Sequence, residues 1–334
     1  MLLSATSNKT IEIFINQFTF KPKKSIVVPL NGDSKVVIQE LPELIHTVDV
    51  QNELGEGVVW NEATSTIWWT DIERSTLFEY HLASDRLKTW DTPHRVGCFG
   101  FVENDHRLIV AFDCGIAFFD LSTGAVQWLY GPDILAYGLR FNDGKIDPFG
   151  VFWAGTMVEK PEVAKVFGSL YCIDSQNTLT EHISNITTSN GLCWSPDGSI
   201  LYHADSPRQT IWRYRYDPEK NTITDKETFA KTGEGMFPDG STVDCDGGVW
   251  NAHWGGAQIA RYRHDGEKSL VLEVPVDLPS CVAFGGDDLN LLLVTTARLS
   301  LSDSRLKKRP KSGSLLIYRT NFQGLPASRF KLQK

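Results

Sequence analysis

Apolar runs, each short enough for a single strand, alternate along the chain with clusters of Asn, Asp, Pro, Gly and Ser. Several open alike, with a polar or aromatic residue, a glycine and then the apolar stretch. The copies are Glu56-Gly57-Val58-Val59-Trp60, Phe99-Gly100-Phe101-Val102, Tyr137-Gly138-Leu139-Arg140-Phe141, Asn190-Gly191-Leu192-Cys193-Trp194 and Asp239-Gly240-Ser241-Thr242-Val243. A last copy, Ser280-Cys281-Val282-Ala283-Phe284, lacks the glycine. Their leading residues are 43, 38, 53, 49 and 41 positions apart, a period that suits four strands per propeller blade. Turn residues follow each copy, among them Asn142-Asp143-Gly144, Ser195-Pro196-Asp197-Gly198 and Asp246-Gly247-Gly248.

Further apolar runs fill in the repeat. Second strands are expected at 66–70, 108–112, 151–154, 200–204, 249–252 and 291–295. Third strands with period-two alternation fall at 76–80, 116–119, 169–172, 211–214, 259–262 and 314–318, and weaker fourth strands follow the first five. The sixth copy lacks its fourth strand, and residues 46–50 are placed to supply it, closing the ring and removing a sheet edge. No stretch carries a sustained 3.6-residue period. The expected fold is all-β: a six-bladed β-propeller with four-stranded blades, closed by an N-terminal strand. Residues 1–44 read as an N-terminal extension, with one strand at 11–20, ahead of a propeller domain over 45–334.

In a propeller the first strand of each blade lines the channel, so equivalent positions converge at its mouth. Glu56, Asn190 and Asp239 would meet there as two carboxylates and an amide oxygen. Such a set suits a hard divalent cation, with water completing the shell. The same residues also read as turn formers at blade starts, since Asn-Gly and Asp-Gly are common in turns. Arg140 and Asn142 point to one side of their strand. They read either as a cation and an amide offered to a polyhydroxy substrate or as structural residues between blades. His203 and His253, at the ends of second strands, read as core residues.

Composition narrows the classes. The chain has 334 residues, 41% of them hydrophobic, and a formal net charge of −8. That balance argues against a nucleic-acid partner, which needs a basic face. The basic clusters at 21–24 and 305–311 read as solvated loop charges. Six cysteines are scattered through strand-like runs without metal-type spacing. No apolar run is long enough to span a membrane, and the N-terminus lacks a signal-peptide pattern, so a cytoplasmic protein, monomeric or weakly dimeric, is expected.

Leu54-Gly55-Glu56-Gly57, Trp69-Thr70-Asp71 and Arg140-Phe141-Asn142-Asp143-Gly144-Lys145-Ile146-Asp147-Pro148 complete a larger pattern. With Gly155-Thr156-Met157, Ser189-Asn190-Gly191-Leu192 and Pro238-Asp239-Gly240 they resemble the SMP-30/gluconolactonase/luciferin-regenerating family, which includes regucalcin. The resemblance implies a six-bladed propeller holding one divalent metal, with Ca²⁺, Zn²⁺, Mn²⁺, Mg²⁺ and Fe²⁺ all open. It implies hydrolysis of sugar-acid lactones, with Glu56, Asn190 and Asp239 as ligands and Arg140 and Asn142 as substrate contacts. Where regucalcin-like members carry two glutamates after Gly-Thr-Met, this chain has Val158-Glu159-Lys160, so the second contact falls on Lys160. Asp239 is the expected general base in metal-assisted ester hydrolysis. The alternatives are a calcium-binding regulatory protein of regucalcin type and an organophosphate triesterase on the same fold.

Overall fold

The structure, a computed structural model, describes residues 25–29, 36–131 and 134–333. The chain divides into two compact units, residues 1–41 and 42–334. In the first unit, Ser25–Pro29 pairs antiparallel with Val36–Glu40. The strand expected at 11–20 lies outside the described residues.

The second unit is a ring of six four-stranded antiparallel sheets, a six-bladed β-propeller. Blade one is Gly55–Asn61, Thr66–Asp71, Thr76–His81 and Arg86–Asp91. Blade two is Val96–Phe101, Leu108–Phe112, Gly115–Phe119 and Val126–Tyr130. Blade three is Leu139–Ile146, Phe152–Val158, Gly168–Ile173 and Leu179–Ile186. Blade four is Ser189–Trp194, Ile200–Asp205, Thr210–Asp217 and Thr222–Lys231. Blade five is Phe237–Val243, Val249–Trp254, Gln258–Tyr262 and Lys268–Glu273. Blade six joins Pro279–Gly285, Leu291–Thr296 and Leu315–Arg319 to Glu43–Val48 from the other end of the chain. The closing register runs from Leu315 opposite Val48 to Arg319 opposite Glu43. It starts three residues earlier than the strand expected at 46–50.

Alternation explains the packing. Each blade presents apolar residues on both faces, and adjacent blades bury them against one another. Blades one and two share Trp68, Leu77, Phe99, Phe112 and Phe119; blades three and four share Trp153, Leu192, Trp194 and Tyr214. Trp69, Trp153 and Trp250 occupy corresponding second strands and are almost fully buried. Their indole N–H groups donate to Asn52, Asp147 and Asp244, so the large rings are buried without an unpaired donor.

One segment departs from the expectation. Asp303–Lys308 is a short helix inside the basic cluster, capped by Ser302, which accepts from the Arg305 N–H at 3.4 Å. Arg305 and Arg309 reach the Asp277 carboxylate at 2.9 and 3.3 Å, so part of the cluster is paired. Six residues are too few to display a helical period.

Candidate active site

All six inner strands carry a bulge or register shift near their start. In blade four the pairing jumps from Asn190 opposite Ala204 to Cys193 opposite Tyr202, leaving Gly191 and Leu192 out of the ladder. A bulge re-aims side chains and frees backbone groups, as a binding site requires. Gly191 has φ +67°, and a Cβ there would sit 3.0 Å from the Asp239 carbonyl oxygen. Gly240 is demanded by space alone, since its Cβ would meet Cys281 Sγ at 2.5 Å.

The turns that follow define the repeat more reliably than the glycines. Thr64, Gly150, Gly198 and Gly247 donate their N–H groups to the carbonyls of Asn61, Asp147, Ser195 and Asp244. Five residues ahead of those carbonyls stand Glu56, Asn142, Asn190 and Asp239. Asn142, and not Tyr137, is therefore the blade-three member of the column. Tyr137 lies in a 3-10 turn, Leu135–Tyr137, before the inner strand, and is 55% exposed. The Asn142-Asp143-Gly144 stretch, expected as a turn, is the bulge of blade three, between Phe141 opposite Thr156 and Gly144 opposite Ala154.

Glu56, Asn142, Asn190 and Asp239 are all buried. Asn142 Nδ2 donates to Asn190 Oδ1 and to the Ser189 carbonyl, both at 2.9 Å, tying blade three to blade four. Asn190 Nδ2 donates to Ser206 Oγ at 2.8 Å, and Ser206 Oγ donates to the Pro238 carbonyl at 2.8 Å, tying blade four to blade five. Asn251 Nδ2 donates to the Asp239 carbonyl at 2.6 Å and to Ser241 Oγ at 2.9 Å. Glu56 Oε2 accepts from the Gly57 N–H at 3.2 Å. Asp239 Oδ1 is buried with no hydrogen-bond partner among the described residues.

A third carboxylate, Asp143, sits beside this group and lines the channel. It accepts from the backbone N–H of Gly144 at 2.8 Å and of Leu192 at 3.3 Å, satisfying donors that the bulges release. Burial and then the Asp143 charge push the Glu56 carboxyl up to about 8. Burial, Glu56 and Asp143 hold the Asp239 carboxyl well above the usual carboxylate range. Three buried acids lie in one another's field, one with a bare oxygen, and their joint ionisation calls for a cation. The donor set of Glu56, Asn190 and Asp239 fits a hard divalent ion.

Arg140 is buried beside the carboxylates. Its Nη1 donates to Asn142 Oδ1 at 2.8 Å and to the Phe141 carbonyl at 2.9 Å, and its Nε lies 3.3 Å from Glu159 Oε1. Arg95 grips Glu159 through Nη1–Oε1 at 2.6 Å and Nη2–Oε2 at 3.0 Å, and Asp113 through Nε–Oδ2 at 3.0 Å. Burial works against the Glu159 charge, but the hydrogen bonds from Arg95 and the charges of Arg95 and Arg140 hold its carboxyl below the usual range. Lys160 is exposed, and its backbone N–H donates to the Gly138 carbonyl at 3.0 Å. The carboxylate that faces Arg140 thus comes from Glu159, one position before Lys160. Asp143, Glu159 and Arg95 escaped the sequence reading. Asp143 looked like turn chemistry, and Arg95 precedes a strand start with no repeat signal of its own.

The channel holds a cavity of about 130 Å³ lined by Asp143, by other residues of the inner strands and their turns, and by Leu325, Pro326, Ala327 and Ser328 of the C-terminal segment. Lys145 Nζ donates to the Ser241 carbonyl, linking blades three and five. His203 and His253 are buried in the second strands, bonded to Ser189 Oγ at 2.9 Å and to the Tyr262 hydroxyl at 3.0 Å. No helix among the described residues is long and apolar enough to cross a membrane.

Residues 54–298 match the SMP-30/Gluconolactonase/LRE-like region. The chain is 35% identical to an L-arabinolactonase of Azospirillum brasilense over 84% of its own length and 93% of the relative's. It is 33% identical to a 6-deoxy-6-sulfogluconolactonase of Pseudomonas putida, over 81% and 92%. Among solved structures, the calcium-binding protein regucalcin from Agrobacterium tumefaciens strain C58 superposes with a TM-score of 0.81 at 31% identity, covering 87% of this chain and 98% of that one.

Proposed function

The chain belongs to the SMP-30/gluconolactonase/LRE-like family, and from that membership and the axial carboxylates we propose that it is a metal-dependent lactonase opening sugar-acid lactones to aldonic acids. The observation that carries this reading is Asp239, whose buried Oδ1 has no partner among the described residues and whose carboxyl lies in the field of Glu56 and Asp143. Glu56, Asn190 and Asp239 would hold the ion. When bound, a divalent metal supplies Lewis-acid polarisation of the lactone carbonyl. Asp239 accepts a proton from water as the water oxygen bonds to the carbonyl carbon, and returns it to the ring oxygen as the ester C–O bond breaks. Arg140 donates to sugar hydroxyls and Asn142, whose amide N–H groups are used on Asn190 and Ser189, accepts from one at Oδ1, and together they fix the carbonyl relative to the attacking water. Their own hydrogen bond, and the Glu159 carboxylate behind Arg140, limit how far either can wander.

The relatives act on different sugars by name, and aldonolactones of glucose, galactose, arabinose and xylose differ by single hydroxyl configurations or one carbon. The test is a panel of 1,4- and 1,5-aldonolactones followed by acid release. The protein is stripped of metal, and Ca²⁺, Mg²⁺, Mn²⁺, Zn²⁺ and Fe²⁺ are returned singly. Activity restored by an ion, and lost in Asp239→Asn with the fold retained, is the expected result. Ion binding without turnover on any lactone would reject the enzyme reading and favour a calcium-binding regulatory role.

A further inference from the structure

We propose that His94, Asp113 and Cys114 form a second metal site, of the zinc-binding kind, on the rim of blade two. His94 lies in the connection that enters the blade, and Asp113 and Cys114 are the two residues joining Leu108–Phe112 to Gly115–Phe119. One nitrogen, one oxygen and one sulfur atom from these side chains all lie within 4.8 Å of one another. Donors around a tetrahedral zinc, bound at roughly 2.0–2.3 Å, are separated by about 3.3–3.8 Å. The three therefore need to close by about an ångström, a side-chain rotation, to share one ion.

The backbone around the cluster is already tied down. The Asp113 N–H donates to the Arg95 carbonyl at 2.7 Å, joining the entering loop to the hairpin. Thr92 Oγ1 donates to the His94 carbonyl at 2.7 Å and to the Ser75 carbonyl at 2.9 Å. The Phe141 N–H donates to the Asp113 carbonyl at 3.1 Å, anchoring the hairpin to blade three. The His94 ring rests against Phe112 and Trp128, with centroids 5.6 and 5.5 Å away.

The Asp113 carboxylate is satisfied only in part, by Arg95 and by a hydrogen bond from the Cys114 thiol that a metal would displace. Its Oδ2 accepts from Arg95 Nε at 3.0 Å, while its Oδ1 is buried without a hydrogen-bond partner among the described residues. A buried carboxylate oxygen left bare is costly, and a cation at Oδ1 would satisfy it. The arrangement, with one oxygen for the ion and the other held by an outer hydrogen bond, is how ligating carboxylates are oriented in metal sites. Imidazole, thiolate and carboxylate together suit zinc and disfavour calcium or magnesium. The axial pocket, built from oxygen alone, has the opposite preference. Three protein ligands leave a fourth position for water, and the exposed His94 gives the ion a way in.

This site does not depend on the lactonase reading, so its test does not use activity. Metal-free protein is titrated with Co²⁺, a spectroscopic substitute for zinc, and the near-ultraviolet thiolate-to-cobalt charge-transfer band is followed. The expected result is a saturable band that is absent in Cys114→Ser and retained in Cys245→Ser, which removes an exposed thiol elsewhere. His94→Ala should weaken the titration by more than the roughly 10–100-fold that loss of an outer-sphere partner costs. Bound zinc per chain, counted after dialysis, should fall by one ion in Cys114→Ser with circular dichroism unchanged. A native-like protein without the band, or a band that survives Cys114→Ser, overturns the proposal.

Discussion

Arg140 and its neighbours set the residue-scale questions. Arg140 is buried, and burial pulls its guanidinium below its ordinary value, so its charge depends on the Glu159 carboxylate 3.3 Å away. Glu159→Gln should cut kcat/KM on the preferred lactone by about 10–100-fold, mainly through KM, because an unrestrained Arg140 misplaces substrate. Lys160→Ala should change it by less than about three-fold, as expected of a solvated side chain. Steady-state kinetics on both variants decides which residue reads the substrate. If Lys160→Ala shows the larger loss, the lysine reaches the bound lactone despite its exposure. The resemblance, read through Gly155-Thr156-Met157, put the contact on Lys160, one position after the carboxylate that stands beside Arg140. The place of that carboxylate was decided in space, where Arg95 pulls Glu159 inward with two hydrogen bonds.

At the scale of the strand, the bulges do the work that the repeat only hinted at. Gly191 sits in the blade-four bulge, between paired Asn190 and Cys193, with positive φ and in close contact with blade five. Gly191→Ala should cost about 1–3 kcal/mol from backbone strain alone, measured as a lower urea midpoint at constant m. An unchanged midpoint would mean that the bulge relaxes without the glycine. Second and third strands were legible because alternation is a local property of the chain. Two elements were not. In blade three the sequence pointed to Tyr137-Gly138, and only the turn hydrogen bond from Gly150 to Asp147 set Asn142 in the column instead. The helix Asp303–Lys308 was hidden because its partner, Asp277, lies far away in sequence.

Closure governs the molecule as a whole. Glu43–Val48 completes blade six, so the last sheet waits for a strand from the start of the chain. A chain beginning at Pro42 and one beginning at Asp49 differ only by that strand and the residue before it. The first should unfold in one cooperative transition. The second should lose several kcal/mol and melt about 10 °C lower or more, with the edge of Leu315–Arg319 free to aggregate. Equal melting temperatures would show that the ring does not rely on its closing strand. Stability should also carry an acid signature. Burial first, aided by Lys226 for His203 and Lys268 for His253, lowers both imidazoles from 6.5 to about 3. The unfolded chain therefore binds more protons below pH 6.5, and stability is lost as pH falls from there toward 3. Each histidine contributes about 1.4 kcal/mol per pH unit within that window. Because the raised Glu56 and Asp239 carboxyls work in the opposite direction, the histidine contribution is read as a difference: between pH 7 and 5, His203→Gln should lose less stability, or gain more, than the parent in urea titrations.

Taken alone, the amino-acid order determined the blade count, the strand pattern and the identity of Glu56, Asn190 and Asp239 as one repeated position. Those features recur along the chain, and each copy is written by local alternation and turn residues. Tertiary structure decided what the periodic pattern could not contain. It placed Asn142 in the column and Asp143 beside it, turned Glu159 toward Arg140, and brought His94 to Asp113 and Cys114. Apart from Asn142, which a turn within its own blade registers, each of these depends on contacts between blades, or between a loop and a turn, where distance in space has no counterpart in sequence spacing. The electrostatics follow the same division: a carboxylate is written in the sequence, but its charge is set by the burial and the neighbours that only the closed ring supplies.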